Sequence, residues 1–252
     1  MTPAARTSDR PLACIVMAGG KGTRMRSGLT KVLHPIWGRP LLGWVLAAVR
    51  DAGAERIVVV VPPDAADAVA DVADGAQTVV QADQLGTGDA VRCAMPALDG
   101  FDGDVLVVSG DTPLLTGDLL AGLLADHGDA DATVATFQVP DPGAYGRVVR
   151  SGDAIRIVEA RDASADELAI DEVNAGLYVF AAAALRPALD GLTSDNAQGE
   201  LYLPDVLPLM GGVRASLVDD ASLLLGVNTR VELAEAAAII RDRIIEEHLR
   251  SE

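Results

Sequence analysis

Short apolar runs recur along the first half of the chain, and segments with helical periodicity separate them. Residues 12–17, 57–61 and 105–108 are apolar throughout, as expected for strands buried on both faces of a sheet. Helical segments between strands imply right-handed crossovers and a parallel sheet, whose ligands bind beyond the carboxyl ends of the strands. The alternation predicts an α/β fold with a Rossmann-like, mostly parallel central sheet.

The remaining elements follow from the same patterns. Helices are expected from Pro40 to just before Gly53, after an Asp64 cap, and near residues 88–98, 119–124, 181–189 and 202–210. Further strands are expected near residues 77–81, 133–139, 147–150, 154–159 and 173–180. The last three have little helix between them, which predicts an antiparallel or mixed insertion. A capping box at Thr229 and Glu232 predicts a final helix with Leu233, Ala237, Ile240 and Ile244 in the core.

The charge of the chain is unevenly distributed. The formal net charge is −17, yet residues 1–50 contain eight cations and one acid. A strongly acidic chain argues against nucleic acid or an anionic membrane as partner. A basic pocket in an acidic body suits a small polyanion. Two scattered cysteines read as reduced core residues, and the lack of a long apolar stretch or signal peptide predicts a cytoplasmic location.

A glycine-rich loop follows the first predicted strand. Both lysines of the chain, Lys21 and Lys31, lie in or just after this loop, whereas the other eighteen basic residues are arginines. Lysine supplies a compact point charge for phosphate. The loop is neither a Walker A motif, because Gly22 follows Lys21, nor a dinucleotide fingerprint, because Met25 stands where a third glycine is needed. A glycine-rich turn with solvated basic residues is the alternative.

Three other polar segments fall at predicted strand ends or loops. Asp111 follows a buried strand and is a candidate Mg²⁺ ligand, with Asn228 as a second oxygen, although a turn or capping role for Asp111 is equally open. Residues 81–88 offer amides, a hydroxyl and backbone groups that suit the edge of a planar base, or alternatively a helix start at Thr87. Glu159 and residues 145–147 and 174–176 could bind sugar hydroxyls or be ordinary loop and strand residues.

Taken together, these segments resemble the sugar-1-phosphate nucleotidyltransferases. The likeness is strongest to the N-terminal uridylyltransferase domain of the bifunctional N-acetylglucosamine-1-phosphate uridyltransferases, and it covers nearly the whole chain. The matching segments are residues 20–25, 31–34, 81–88, 110–114, 145–147, 158–159, 174–176, 196–200 and 226–228. The resemblance implies a nucleotidyltransferase domain over residues 1–228, with a nucleotide-binding part at about 10–139 and a sugar-binding part at about 140–228. Residues 229–252 are expected to form a C-terminal helix, and no hexapeptide-repeat acetyltransferase domain is expected.

The resemblance also implies a role for individual residues. Arg24, Lys31 and Asp111 would be catalytic, and Asp111 with Asn228 would hold the Mg²⁺ cofactor. The residues implied to bind the nucleotide are Ala18, Gly19, Gly20, Lys31, Gln81, Gly86 and Thr87. Those implied to bind the amino sugar are Gly146, Glu159 and Asn174.

The implied reaction is Mg²⁺-dependent transfer of a uridylyl group from UTP to N-acetylglucosamine-1-phosphate, giving UDP-N-acetylglucosamine and pyrophosphate. The implied partners are therefore UTP and a sugar-1-phosphate, and a monomer or weak oligomer is expected. Two alternatives remain open at this stage. One is a nucleotidyltransferase for another pair, such as dTTP and glucose-1-phosphate, and the other is a non-catalytic regulatory module that binds sugar nucleotides.

Overall fold

A computed structural model describes residues 10–20 and 22–250 of the 252-residue chain. The strands are β1 (Leu12–Met17), β2 (Pro35–Ile36), β3 (Arg39–Pro40), β4 (Arg56–Val61), β5 (Gln77–Val80), β6 (Asp104–Ser109), β7 (Ala132–Gln138), β8 (Arg147–Ser151), β9 (Ala154–Val158), β10 (Glu172–Ala181) and β11 (Val213–Leu217). The α-helices are α1 (Leu41–Asp51), α2 (Ala66–Ala70), α3 (Thr87–Ala94), α4 (Gly117–His127), α5 (Ala165–Leu168), α6 (Ala182–Asp190) and α7 (Arg230–Arg250). Short 3-10 helices lie at Thr23–Met25, Lys31–Leu33, Pro63–Ala65, Met95–Leu98, Leu203–Leu209 and Ala221–Leu224.

One sheet of nine strands forms the centre of the fold. Its order is β11-β7-β10-β6-β1-β4-β5, and the β8–β9 hairpin joins it through β10. Strands β6, β1, β4 and β5 are parallel, whereas β10 is antiparallel to both β6 and β7. The chain runs outward from β1 to β5 and then returns to β6 on the other side of β1. Such a reversal of strand order creates a crevice at the carboxyl ends of the two strands. The predicted parallel sheet with a mixed insertion is confirmed.

Alternate residues of β1 enter two separate hydrophobic cores. Leu12, Cys14 and Val16 pack with α1 and α4 on one face, whereas Ala13 and Ile15 pack with α3 and α6 on the other. All five side chains are fully buried, as the continuous apolar run of β1 predicts. The sheet is therefore held rigidly from both sides, which fixes the loops at its carboxyl edge.

Proline accounts for two differences from the predicted helices. The helix expected over 88–98 ends as an α-helix at Ala94 and continues as a 3-10 turn containing Pro96. The segment expected as a helix over 202–210 is a 3-10 helix with Pro204 at its start and Pro208 inside it. Proline has no backbone N–H to donate within an α-helix, so both segments depart from α geometry.

Two further differences concern weak local patterns. Asp64 makes no capping bond, and the helix near it spans only Ala66–Ala70, with Ala65 at its N-cap position. Strand β11 was not expected from the sequence, because its half-exposed residues alternate weakly and its partner β7 is distant along the chain. Long-range pairing decided the structure of this segment.

Helix α7 packs against the start of the chain. The expected capping box is present, since Glu232 N donates to Thr229 Oγ1 at 3.2 Å and Thr229 N donates to Glu232 Oε2 at 2.8 Å. Ile240 is buried against Met25 and neighbouring residues, but the predicted core residue Ile244 is 46% exposed because the end of the helix extends beyond the body. In the described part of the chain, no helix combines the length and apolarity needed to span a membrane.

Candidate active site

Four residues from three distant segments meet at the carboxyl ends of β1 and β6. The ammonium group of Lys31 contacts Asp111 Oδ2 and also donates to Asn228 Oδ1 at 3.0 Å. Arg24 Nη2 donates to the same Asn228 oxygen at 3.0 Å. The structure thus brings together the predicted catalytic cations and the predicted metal ligands. We call Arg24, Lys31, Asp111 and Asn228 the charged cluster.

The sheet and helix α7 place the acidic and amide members of the cluster. Gly110 N donates to Met17 O at 2.9 Å, which ties the loop after β6 to the end of β1. Asp111 O accepts from Val227 N at 2.8 Å, and this bond brings the 226–228 segment alongside. Ser109 Oγ donates to Asp111 Oδ1 at 2.6 Å, so the carboxylate is held from the side opposite Lys31.

A glycine places the cationic members. Gly22 has a φ of +57°, and a Cβ built on it would lie 2.8 Å from Lys31 Cβ. A side chain at this position would therefore meet both backbone strain and a close contact. The glycine-rich loop can fold directly over Lys31 as a result. Lys21 lies outside the described residues.

The Lys31–Asp111 pair is largely shielded from water, with side-chain exposures of 11% and 13%. Removing one partner of such a pair leaves the other without compensation. An anion entering the cluster would compete with Asp111 and Asn228 for the ammonium group. The pair thus holds Lys31 in place near the glycine-rich loop.

The donor set fits the predicted Mg²⁺. Asp111 and Asn228 already direct oxygens at one cation, the Lys31 ammonium group. Mg²⁺ prefers hard oxygen ligands and typically takes one or two from the protein, with phosphate oxygens and water as the rest. Among the described residues, no group of three or more His, Cys, Asp and Glu side chains could hold a metal ion. One carboxylate and one amide oxygen are consistent with a metal that is shared with a phosphate substrate.

The predicted base-binding residues lie at the carboxyl ends of β1 and β5. Gln81 is 4% exposed, and its Nε2 donates to Gly86 O at 3.1 Å and to Asp89 Oδ2 at 2.8 Å. Its Oε1 faces Gly19, where an added Cβ would lie 3.2 Å away. Gln84 Nε2 donates to Gly19 O at 3.1 Å and holds the loop from the other side. Gln81 and Gly19 are therefore neighbours, as the resemblance implies.

Gly86 and Thr87 are tied to a distant segment. Gly86 has a φ of +114°, and an added Cβ would lie 2.6 Å from Leu201 O. Thr87 Oγ1 accepts from Leu203 N at 2.9 Å, so this hydroxyl has a structural partner, and its O–H remains able to donate to a ligand. Both residues bind the 201–203 segment to the start of α3. Their contact with a base remains a prediction.

Ala18 and Gly20 differ in what they can offer. Ala18 is buried, and its N–H donates to Val60 O at 2.8 Å, so this amide is not available to a ligand. Gly20 is exposed, and a Cβ added to it would lie 3.9 Å from Lys31 Nζ. Gly20 also lines an open cavity of about 530 Å³ together with Thr30, Pro62, Pro63, Asp64, Ala82, Asp83 and Gln84. This cavity joins the glycine-rich loop to the 81–84 segment.

The predicted sugar-binding residues come together beside β10. A Cβ added to Gly146 would lie 3.2 Å from Glu159 Oε1, and Gly146 O accepts from Asn174 N at 2.9 Å. The amide of Asn174 has internal partners, because Nδ2 donates to Tyr178 Oη at 2.7 Å and Oδ1 accepts from Gly176 N at 2.9 Å. Asn174 is 8% exposed. Glu159 is thus the residue of the three with the greatest freedom to change partners.

Glu159 lies among other acids. Burial raises the pKa of its carboxyl group, and the charges of Asp205, Asp162 and Glu200 raise it further. The pKa of Asp205 is also raised, by burial first and then by Asp162. We call Glu159, Asp162, Glu200 and Asp205 the acidic cluster. Its charges repel one another, whereas the acid in the charged cluster is paired.

Sequence reasoning missed two supporting residues. Ser109 has no role among the sequence predictions, yet its hydroxyl donates to Asp111 and holds the carboxylate. Asp89 was not considered, although it is 5% exposed and bonded to Gln81. A carboxylate eight residues after Gln81, on the first turn of a predicted helix, is the signal that could have identified it. Only the fold shows that the turn faces the end of β5.

Comparisons with known proteins identify a family and several relatives. Residues 14–204 match the family described as the MobA-like NTP transferase domain. The chain is 47% identical over 244 residues to the bifunctional protein GlmU of Pelobacter propionicus, which covers 92% of this chain and 53% of that protein. It is 47% identical over 253 residues to the bifunctional protein GlmU of Corynebacterium glutamicum, covering 94% and 52%.

A relative from Mycobacterium sp. (strain KMS), also named bifunctional protein GlmU, is 46% identical over 259 residues, covering 97% of this chain and 52% of the relative. The chain therefore spans about half the length of the curated relatives that it matches. The family match includes the glycine-rich loop, β6 with Asp111, and the predicted sugar-binding residues. The chain belongs to the MobA-like NTP transferase domain family.

Proposed function

We propose that this chain transfers a uridylyl group from UTP to N-acetylglucosamine-1-phosphate, giving UDP-N-acetylglucosamine and pyrophosphate. The observation that carries the proposal is the charged cluster. Two cations and two metal-compatible oxygens converge at the strand ends of a protein with a net charge of −17. Such an arrangement suits the meeting of two phosphate substrates, because fixed cations and a metal would offset their charge.

The nucleophile in this reaction needs no general base. A phosphate oxygen of the sugar-1-phosphate is already an anion, and it forms a bond to the α-phosphorus of UTP. The bond from that phosphorus to the bridging oxygen of the β-phosphate breaks in line, and pyrophosphate leaves with the electron pair. Lys31 and Arg24 lower the repulsion between the two anions and stabilise charge on the transferring group.

Asp111 and Asn228 would hold the metal. When bound, Mg²⁺ supplies a Lewis acid and a template for phosphate oxygens. Lys31 then exchanges its contacts with Asp111 and Asn228 for phosphate oxygens, which is a short movement for a flexible side chain. Ser109 keeps the Asp111 carboxylate oriented during this exchange.

The two halves of the domain divide recognition between them. We assign the nucleotide to residues 10–139, through Ala18, Gly19, Gly20, Lys31, Gln81, Gly86 and Thr87. We assign the amino sugar to residues 140–228, through Gly146, Glu159 and Asn174. Because Ala18 N is bonded to Val60 O, Ala18 would contribute shape and Gly19 the polar backbone groups. The cytoplasmic location and a monomeric or weakly associated state stay predictions of the sequence.

Pyrophosphate release tests the proposal. The purified chain would be assayed with Mg²⁺ across four nucleoside triphosphates and several sugar-1-phosphates, with chelator-treated samples as controls. Release confined to UTP with N-acetylglucosamine-1-phosphate supports the proposed substrates. Release from a different pair overturns the proposed substrates but supports the proposed nucleotidyl transfer. The proposed enzymatic activity is contradicted if the folded protein binds sugar nucleotides but releases no pyrophosphate from any pair. That result supports a non-catalytic regulatory module.

A further inference from the structure

The side-chain amide of Gln81 is held by two groups that can only accept hydrogen bonds. One is the backbone carbonyl of Gly86 and the other is a carboxylate oxygen of Asp89, at 3.1 and 2.8 Å from Nε2. Neither can donate, so both hydrogens of the amide nitrogen are directed at them. The reverse orientation of the amide would set its oxygen against two acceptors, one of them charged.

The fixed amide presents one kind of group to a ligand. With Nε2 occupied, Oε1 faces the Gly19 backbone at the carboxyl end of β1. This oxygen is an acceptor only. A ligand placed against Gly19 therefore meets an acceptor and must supply an N–H or O–H donor.

Asp89 is the stronger of the two constraints on Gln81. It is 5% exposed, and a hydrogen bond to a charged acceptor is worth more than one to a neutral carbonyl. Arg92 Nη2 donates to the other carboxylate oxygen, Oδ1, at 2.7 Å, which leaves Oδ2 directed at Gln81. Asp89 also lies in the first turn of α3, where a carboxylate is stabilised by the helix dipole.

We propose that Asp89 is a positioning residue for base selection, because it fixes the Gln81 amide so that an acceptor faces the base. Uracil and thymine carry a donor, N3–H, at the ring position where cytosine carries an acceptor. The arrangement selects uracil or thymine and rejects cytosine. The inference rests on the proposed function, since it needs a nucleotide base beside Gln81 and Gly19.

A purely structural role for Asp89 makes a different prediction. If the carboxylate only caps the start of α3 or pairs with Arg92, replacing it changes stability and leaves the choice of base intact. Discrimination between UTP and CTP separates the two roles, because these nucleotides differ at the exocyclic group and N3 and share the rest of the molecule.

The test is the Asp89→Asn variant, in which the amide can offer either an oxygen or an NH₂ group to Gln81. Specificity constants for UTP and CTP would be measured with the same sugar-1-phosphate. We expect the UTP-to-CTP ratio of kcat/KM to fall by about tenfold or more, since the loss of one charge-assisted hydrogen bond lets Gln81 reverse. An unchanged ratio in a folded variant overturns the proposal.

Arg92→Met is the matched control. It removes the ion pair on Oδ1 and leaves the Asp89 acceptor on Gln81, and the Arg92 side chain is 45% exposed. The UTP-to-CTP ratio of kcat/KM should stay within about twofold of wild type, because an exposed ion pair contributes little free energy. A fall as large as that of Asp89→Asn would show that the ion pair, and not the acceptor, sets the choice.

Two further measurements keep the inference testable. Asp89→Ser, whose hydroxyl can donate or accept, repeats the experiment if the asparagine variant does not fold. Equilibrium binding of UTP and CTP reads the same discrimination without turnover, so a failure of the proposed reaction is distinguishable from a failure of this inference. Equal binding of UTP and CTP to the wild-type chain also overturns it.

Discussion

The charged cluster and the acidic cluster differ in whether the charge of their carboxylates is compensated. Asp111 is paired with Lys31 and held by Ser109, so its charge is compensated before any substrate arrives. Glu159 is half-buried beside Asp162, Glu200 and Asp205, and its pKa is raised by burial and by those acids. The first arrangement is suited to receiving phosphate anions and a metal. The second places several carboxylates close together, so their charges repel one another. Hydroxyl donors of a sugar would reduce that repulsion by hydrogen bonding to the carboxylate oxygens.

We expect the largest loss of activity from a substitution in the charged cluster. Asp111→Asn preserves the shape of the side chain, but it replaces one of the two acceptor oxygens with an NH₂ group and removes the charge that we assign to the metal. By analogy with loss of a preorganised group, turnover should fall by about 10²–10³-fold. The measurement is pyrophosphate release at saturating substrates, together with Mg²⁺ affinity by calorimetry.

Asp118→Asn is the control for that prediction. Asp118 is an exposed acid in the first turn of α4, outside the charged cluster. Its replacement should leave turnover within about twofold of wild type, as is usual for surface changes of less than 0.5 kcal/mol. Full activity of Asp111→Asn with normal Mg²⁺ dependence would remove Asp111 from the catalytic centre.

The sequence predicted the charged cluster better than its surroundings. Asp111 and Lys31 could be identified because each follows a buried strand, and the carboxyl ends of parallel strands share one edge. The contact between Asp111 and Lys31 was not predicted, because Lys31 comes from a loop eighty residues away in the sequence. Asn228 was predicted as a metal ligand only from the family resemblance and from its position just before the cap of the last helix.

The base and sugar regions were less predictable for physical reasons. Asp89, Ser109 and Tyr178 act by holding other side chains, and such contacts depend on packing that periodicity does not encode. The strand β11 pairs with β7 across about eighty residues of sequence. Elements with strong local patterns, such as β1 and α1, matched their predictions closely.

We expect an effect of intermediate size on the stability of the fold when the acidic cluster loses the charge of Glu159. Because the folded-state pKa of Glu159 is raised, the folded protein binds more protons than the unfolded chain, and stability falls as pH rises above the usual carboxyl range. Glu159→Gln removes this ionisation. Its Tm at pH 7 should exceed that of wild type by on the order of 2 °C, and the difference should shrink toward about pH 4.

Glu167→Gln tests the sign of that prediction. Hydrogen bonds from the Ser164 backbone and hydroxyl, and from Arg156, lower the pKa of Glu167 to about 2. Its stabilising effect is present above the ordinary carboxyl pKa and is lost as pH falls through about 2. This variant should therefore melt below wild type at pH 7. If both variants shifted Tm in the same direction, the electrostatic contrast between Glu159 and Glu167 would be wrong.

The smallest effect is expected at the connection between α7 and the charged cluster. Glu232 Oε2 accepts from Asn228 N at 2.7 Å as well as from Thr229 N, so the cap of α7 also positions a predicted metal ligand. Glu232→Gln should raise the Mg²⁺ concentration for half-maximal activity by a few-fold, roughly the loss of a single charge-assisted bond to the backbone. Glu235→Gln, on an exposed turn of the same helix, should leave that concentration unchanged.

The most direct test of the division of recognition between the two parts of the domain is a crossed measurement of Michaelis constants in Arg24→Gln and Glu159→Gln. Arg24→Gln should raise KM for UTP more than KM for the sugar-1-phosphate, because Arg24 follows the glycine-rich loop in the part of the domain that we assign to the nucleotide. Glu159→Gln should raise KM for the sugar-1-phosphate by about tenfold, the worth of one hydrogen bond to a charged group, with KM for UTP within about twofold. Equal changes of both constants in both variants would contradict the assignment of the nucleotide to residues 10–139 and of the amino sugar to residues 140–228.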